Sequence, residues 1–539
     1  MRTLVNFLML MSLGSISLAA TFTVNNTSDL ASDNCTGGGA CSLRGAILAA
    51  NTTTASDLIA FNIPNTDPGF QSASQSWLIL VPATQLPRLE QAVVIDGYTQ
   101  PGAVENTNTS AQGGLNGTLK IELRAPTPPP GSTINGLEVD TTFTATGPSV
   151  IRGLAISLFQ TQIFLGGLNA NRIEGCYLGT TIDGSAAATV SNGNQGFGVR
   201  TFGSGGYIIG GTEPAARNLI SGTRGGVVGF SAMNNVRIQG NLIGTNAAGT
   251  TAIANDDGLS LGTATNTLIG GTDSDARNVI SGNRFSALSI SSNSAGAFVG
   301  LRIEGNFIGT DASGRLPLGN GLNPASPSQG QPTVRIFSGT AAQLQIGGVA
   351  PGQANLIAFG GSAGVHLGFG RGAQGSFNRY LSNRGIAWDN SGPNGTAEDG
   401  ASPNDLNDLD EGANRSQNFP VLTLPVDFLP IGSASAELQY RVDTAVTNAS
   451  YPITVNFFRG ACGGGPNQFI GSDSITADEV QSTKTFTLTS ADGGNVLPLL
   501  ANAVDADGNT SEFTVMLGDA IMRSGFEDVL APLTLGSCR

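Results

Sequence analysis

Asp256 and Asp257, in the segment ANDDGLSLG (254–262), are adjacent carboxylates of the kind that glycoside hydrolysis uses as acid, base or nucleophile. Adjacent acids before a glycine in a repeat more often shape a turn, so the pair is a catalytic candidate without being a catalytic signature. Two further acidic runs suit a hard cation. PNDLNDLDEG (403–412) places Asp405, Asp408 and Asp410 within six residues, and DADGNTSE (505–512) carries Asp505, Asp507 and Asn509. Oxygen ligands at that density can hold calcium. Neither run completes the D-x-[DN]-x-[DN]-G-x5-E loop, and a glycine-containing hairpin turn accounts for the second run equally well. Calcium is therefore the only cofactor to be weighed, with no firm metal site. The only histidine, His366, stands between Val365 and Leu367 in a strand-like context. If those two enter the core, alternation turns it to solvent or a neighbouring coil, and with no carboxylate or serine constellation nearby it reads as a surface rather than a catalytic residue.

Stepping outward from these groups, the composition bounds the partners. The chain has 25 basic against 39 acidic residues, a formal net charge of −14, and no basic stripe that could neutralise phosphates, which excludes nucleic acid. Only 12% of residues are charged and 76 are glycine, yet 40% are hydrophobic, which leaves ample core. Residues 1–20 read as a secretory signal: Arg2, the apolar run LVNFLMLMSLGSISL, then Ser17-Leu18-Ala19 as a small-x-small cleavage site. No later stretch is apolar for long enough to span a bilayer, so no transmembrane helix is expected in the mature chain. Export fits the cysteines. Cys35 and Cys41, in CTGGGAC, are spaced for a local disulfide, and Cys462 with Cys538 is a second pairing that sequence leaves open. Cys176 occupies a repeat position held elsewhere by Asn241 and Asn306, where a buried structural thiol fits.

That repeat defines the scaffold. NRIEGCYLGT (171–180), NVRIQGNLIGT (235–245) and GLRIEGNFIGT (300–310) share Gly179, Gly244 and Gly309, spaced 65 and 65 apart. A second phrase interleaves: IIGGTEPAARNLISG (208–222), LIGGTDSDARNVISG (268–282) and QIGGVAPGQANLIAF (345–359). Glycine-rich recurrence with short β-branched runs means one supersecondary unit stacked on itself. The echo of Ile151-Arg152-Gly153-Leu154 in Ile173-Glu174-Gly175-Cys176 divides the phrase into three coils of about 22 residues. The expected fold is an all-β, right-handed parallel β-helix over 78–395, the hand following from the general preference of parallel crossovers. Asn218 with Asn278, and Asn241 with Asn306, sit at matching positions of the two phrases, and stacked amides of this kind can hydrogen-bond along the axis as a ladder. Arg217 and Arg277 recur for the same structural reason rather than as a basic functional row.

The flanks differ. Residues 21–77 hold a strand, TFTVNN, the cysteine loop and SLRGAILAAN, a short helix with Leu43, Ala46, Ile47 and Ala50 on one stripe and Ser42 as its N-cap; it would cover the end of the stack. Residues 396–419 form an acidic linker or loop. From 420 to 518 the runs AELQYRVD, ITVNFFRG, KTFTLTS, LPLLANAVDAD and SEFTVML have the spacing of an Ig-like β-sandwich, and 519–539 is a tail containing SGFE.

CSLRGAI (41–47) resembles the CSLREA-type motif that opens a group of secreted bacterial β-helix proteins, with Gly45 where that name has Glu. FNIP (61–64), VVIDGYTQPG (93–102), the IGT, IGGT and RNxISG phrases, GANRSQNFPVL (412–422) and DADGNTSEF (505–513) resemble other segments of the same group. The resemblance covers 21 to about 518 and implies a secreted or cell-surface, pectate-lyase-like solenoid followed by a sandwich. It supplies no catalytic residue. Asp256 and Asp257 look like the paired aspartates of polygalacturonases, but the Gly-His-Gly and Arg-x-Lys motifs of those enzymes are missing, as are the DPHD motif of alginate epimerases and the WIDH-like motif of pectate lyases. The expected function is an exported, non-enzymatic carbohydrate-binding or adhesin-like protein that contacts polysaccharide or a host or matrix surface. The alternatives are a lyase or hydrolase acting on uronate polymers and a structural envelope component. Coil stacking that gathers Asp256, Asp257 and any arginine or further carboxylate into one groove within ~10 Å would favour the enzyme, and a flat face with scattered acids would count against it.

Overall fold

The computed structural model describes residues 19–514 apart from 32, 34, 36, 82–83, 127–133, 141, 143–146, 189–194, 230–232, 295, 323–329, 393–396, 424–434, 462–464 and 490–497. Most of the expected signal segment, Cys462, Cys538 and the SGFE tail lie outside the described residues. Among those described, no helix is long and apolar enough to cross a membrane.

From Thr21–Val24 to Trp388–Asn390 the chain is an all-β, solenoid-like stack whose strands pair in parallel with their counterparts one coil on, apart from the short antiparallel strand Phe70–Gln71. Three ladders run along it. One carries strands such as Arg172–Glu174, Ile208–Gly210 and Arg237–Gln239. The next carries the two-residue strands Tyr177–Leu178, Leu219–Ile220 and Leu242–Ile243. The third carries Gln195–Thr201, Thr223–Gly229 and Asp257–Leu261. The first and third merge through Val334–Ile346, whose front half pairs with Leu288–Ser292 and whose end pairs with Arg302–Glu304. Inward side chains are β-branched or leucine because stacked coils bury both sides of each inward residue. Ile151, Ile173, Ile209, Ile238, Ile269 and Ile303 form one such row with no exposed surface.

That row corrects the coil length. From Ile173 the successive coils are 36, 29, 31 and 34 residues, so the 65-residue phrase is two coils and not three. Only the coil from Ile151 to Ile173 has 22 residues. The two interleaved phrases are two alternating coil types. One type inserts a surface hairpin after its glycine, closed by the bridges Thr180 to Ala187, Thr245 to Ala252 and Thr310 to Pro317. The other inserts a single 3-10 turn, Pro214–Ala216 or Ser274–Ala276, before its RN pair. Insertions at the corners lengthen a coil without disturbing the registered strands, so the core row keeps its period in space while the sequence loses it.

The asparagines form a buried amide ladder. Each Nδ2 donates to the next Oδ1 from Asn218 through Asn241, Asn278, Asn306 and Asn355 to Asn378, at 2.8–3.0 Å. The two sets expected from sequence are thus one ladder. Cys176 stands at its head, fully buried and unpaired by disulfide, with its N–H donating to Asn218 Oδ1 (2.8 Å). A second ladder joins Asn255, Asn283 and Asn320. Arg217 and Arg277 recur because each Nε donates to a carbonyl of the following coil, Gly240 and Gly305. Arg217 also holds the carbonyls of Asn108, Thr109 and Gly113, pinning a long loop to the stack.

At the N-terminal end, Leu43–Ala50 is helical. Ser42 accepts the Gly45 N–H, and Leu43, Ala46, Ile47 and Ala50 are buried against the first two strands, Thr21–Val24 and Asp57–Phe61. Arg44 holds both carboxylate oxygens of Asp29 and the carbonyls of Thr84 and Gln85. Cys35 and Cys41 are disulfide-bonded.

Beyond the stack two three-stranded antiparallel sheets share a core of Leu438, Tyr440, Val455, Phe457 and Ala501. They contain Val421–Thr423, Ser435–Arg441 and Lys484–Thr489 in one sheet, and Ile453–Ala461, Gly465–Ile475 and Leu499–Val504 in the other. The strand expected over SEFTVML is not formed at 511–514; that segment bonds to Leu499–Val504 through the Ser511 and Thr514 amides, and Glu512 and Phe513 reach the last coil. The acidic segment after 391 is likewise more than a linker. Asn414 exchanges bonds with Ala373 and reaches the Thr510 carbonyl, which ties the last coil, this segment and the second region together.

Candidate functional site

The third ladder positions the chemistry. Alternation along its strands points one residue per coil away from the core, and register aligns those residues into a row: Glu138, Phe164, Arg200, Val228, Ser260, Ser289, Arg335, His366 and Asp389. Arginine and aromatic rings pair repeatedly along and beside it. Arg200 lies 5.8 Å from the Phe164 ring, Arg224 lies 5.7 Å from Phe197, Arg284 lies 5.0 Å from Phe285, and Arg335 lies 4.5 Å from Phe337. Phe337 in turn meets Phe369 and His366 edge-on. Phe285, Arg224, Arg284 and Arg335 are exposed. Unequal coil lengths hide this row from the sequence. The only signal was the strand periodicity itself, which needs the register before it can be used.

Asp256 and Asp257 flank the same face. Stacking brings Arg284 to 3.6 Å from Asp256 Oδ1, and the charge of Arg335 reaches Asp257. Both acids engage the next coil's turn, however. Phe285 N–H donates to the Asp256 carbonyl, and Ser286 N–H donates to Asp257 Oδ1 (3.1 Å). Burial pushes the Asp257 carboxyl up from its ordinary value. Stacking therefore places arginines beside both acids, as the enzymatic alternative expects, while the pair also shapes a turn in the way adjacent acids before glycine usually do.

His366 is not on the surface. It is 3% exposed, its Nε2 lies 2.9 Å from Ser391 Oγ, and Ser391 Oγ donates to the Ala397 carbonyl. The segment after 391 folds back over the end of the row, a placement no local pattern announces. Here burial lowers the histidine's pKa, against the opposing pull of Glu398. Next along the row Asp389, also buried, lies beside Asp399 and Glu512, with one carboxylate oxygen of each within 4.8 Å of the others. Sequence reasoning missed this group because its members lie on three separate elements.

The acidic run behaves differently at each residue. Asp408 is 4% exposed and receives Gln417 Nε2, the Asn418 N–H and Thr444 Oγ1. Asp405 receives the Leu409 and Asp410 amides, and carboxylate oxygens of Asp405, Asp408 and Asp410 lie within 4.8 Å of one another. Asp505 accepts the amides of Asp507 and Asn509 and Asn509 Nδ2, and Asp507 accepts the Ser450 hydroxyl, so those oxygens serve a turn.

Buried acids set a pH response. Burial raises Asp389 to about 7, Asp408 to about 7 and Glu512 to about 8. The folded chain keeps these protons where the unfolded chain has lost them. Their contribution is complete below about pH 4 and is lost as pH rises through 7 to 8, on the order of 1 kcal/mol or more per group. His366 has the opposite sign and weakens the fold below its ordinary value, about 6.5. In chelator, the melting temperature is therefore expected to fall between pH 5.5 and 8.5, and Asp408→Asn is expected to flatten the slope. A melting temperature that climbs across this range contradicts the assignment.

Compared with known proteins, the chain matches no protein-family model and none of the curated proteins.

Proposed function

We propose that the chain is an exported, non-enzymatic, adhesin-like protein, a right-handed parallel β-helix of the CSLREA type followed by an Ig-like sandwich, and that its third-ladder face binds carbohydrate. The observation that carries this reading is the run of arginine–phenylalanine pairs along one registered face. Aromatic faces accept the apolar CH surface of a sugar ring, and a guanidinium fork bonds hydroxyl pairs or a carboxylate in its plane. Parallel coils about 4.8 Å apart repeat these contacts along the stack, which suits an extended polymer better than a single sugar. In a chain of net charge −14 the arginines concentrate cationic groups on this face, which favours acidic glycans.

A glycan array run beside depolymerisation assays on uronate polymers tests the reading. Binding without turnover is expected, with Arg335→Ala and Phe337→Ala each weakening it about tenfold, the cost of a lost charge-assisted bond or stacking contact. Binding that survives both substitutions, or that prefers single-stranded nucleic acid to any glycan, rules the face out. Turnover abolished by Asp257→Ala would establish the enzymatic alternative in its place.

A further inference from the structure

The end of the third ladder carries a group of carboxylates that the glycan-binding reading does not use. Asp389 lies on the last strand of the stack, Trp388–Asn390. Asp399 lies in the segment that folds back over it, and Glu512 lies after the strand Leu499–Val504 of the second region. Asp389 is 2% and Glu512 3% exposed, whereas Asp399 faces solvent. Glu512 is held by two amides, Asn390 N–H to Oε1 (3.0 Å) and Ser402 N–H to Oε2 (2.7 Å). Asp399 Oδ2 accepts the Gly392 N–H (3.1 Å). Asp389 is left short among the described residues: Oδ2 has a long bond from Gly400 N–H (3.4 Å), the carboxylate is otherwise influenced by the Asp399 amide, and Oδ1 is buried with no hydrogen-bond partner. No salt bridge to any of the three occurs among the described residues.

A buried carboxylate oxygen without a donor costs free energy unless a cation supplies the missing charge. Oxygens bound to one calcium at about 2.4 Å can be at most about 4.8 Å apart, and the three carboxylates fall within 4.8 Å of one another. All the ligands are hard oxygens, with no nitrogen or sulfur among them, which suits calcium over zinc or copper. The solvent-facing side at Asp399 leaves room for the waters that complete its shell.

We propose that Asp389, Asp399 and Glu512 bind one calcium ion that rivets the last coil, the overlying acidic segment and the second region together. The site is separate from Asp405, Asp408 and Asp410, where Asp408 already receives three protein donors. The ion completes the closure begun by the bonds from Asn390 to Glu512 and to Thr510.

Trp388 adjoins Asp389, and the only other tryptophan, Trp77, lies near the opposite end of the stack. Terbium, a luminescent calcium substitute, therefore reports on this site. Full-length protein excited at tryptophan is expected to sensitise terbium emission that calcium displaces. Asp389→Asn and Glu512→Gln are each expected to weaken terbium affinity at least tenfold, Asp408→Asn to leave it unchanged, and Trp388→Phe to remove the emission. Calcium is expected to raise the melting temperature by at least about 2 °C over chelator in the parent chain and in Trp388→Phe, and not in Glu512→Gln. Emission that is absent, that persists in both carboxylate variants, or that is lost in Asp408→Asn instead overturns the proposal. Glu512→Gln keeps the size of the side chain but only one of its two acceptors for the Asn390 and Ser402 amides, whereas Asp389→Asn disturbs no donor at Oδ1, so the two variants test the site through different structural costs.

Discussion

Gly309→Ala is expected to destabilise the protein by about 3–5 kcal/mol. Gly309 has φ +91°, and a Cβ there would collide with the carbonyl oxygen of Ala358 on the next coil. Gly179 and Gly244 share the geometry, with φ +87° and +90° and the carbonyls of Ser221 and Ser281 in the way. Two costs therefore add. The left-handed backbone costs a non-glycine residue about 1–2 kcal/mol, and relieving the collision means separating coils that are paired in register. Gly38→Ala separates the two costs, because Gly38 has φ +81° with nothing within 4 Å of the added methyl. Denaturant midpoints for both variants should differ by the collision term. Equal losses would show that backbone strain alone governs the repeat glycines.

Asn278→Ala carries the second large effect, a loss of roughly 3 kcal/mol or more. Asn278 Oδ1 accepts both the Asn241 N–H and Asn241 Nδ2 (3.0 Å each), while its Nδ2 donates to the Ile238 carbonyl (2.8 Å) and to Asn306 Oδ1 (2.9 Å). All these groups are buried in the middle of the stack, and each buried group left unsatisfied costs about 1–3 kcal/mol. Truncation also opens a gap between two coils. Because a solenoid is held by nearest-neighbour interfaces, a break at its centre weakens cooperation between the halves. Urea unfolding followed by both Trp77, in the N-terminal coils, and Trp388, in the last strand, would then give separated transitions. Thr250→Ala, on an exposed hairpin, should change the midpoint by no more than about 0.5 kcal/mol. A single unshifted transition in Asn278→Ala would mean that the ladder contributes little.

These expectations rest on features that were legible to different degrees. The recurrence of Gly179, Gly244 and Gly309, the matched asparagines, the helix behind Ser42 and the structural role of Arg217 and Arg277 were all readable, because each is a local requirement repeated coil after coil. A turn that needs positive φ selects glycine wherever it occurs, and a buried corner that needs both a donor and an acceptor selects asparagine. The coil length was misread for a related reason. One insertion-free coil, Ile151 to Ile173, supplied the count of 22, while the hairpins and 3-10 turns of the other coils lengthen them without altering their strands. His366 was misplaced because its cover comes from residues 25 or more positions away.

The kind of stack is written into the repeats, since parallel coils demand inward β-branched residues, corner glycines and paired amides at fixed offsets. Which residues face outward together is set by the folded register alone. Arg200 and Arg335, or Asp389 and Glu512, are brought side by side by register across coils of unequal length and by a segment that folds back. Contacts of that kind depend on the sum of all intervening insertions and leave no spacing in the chain.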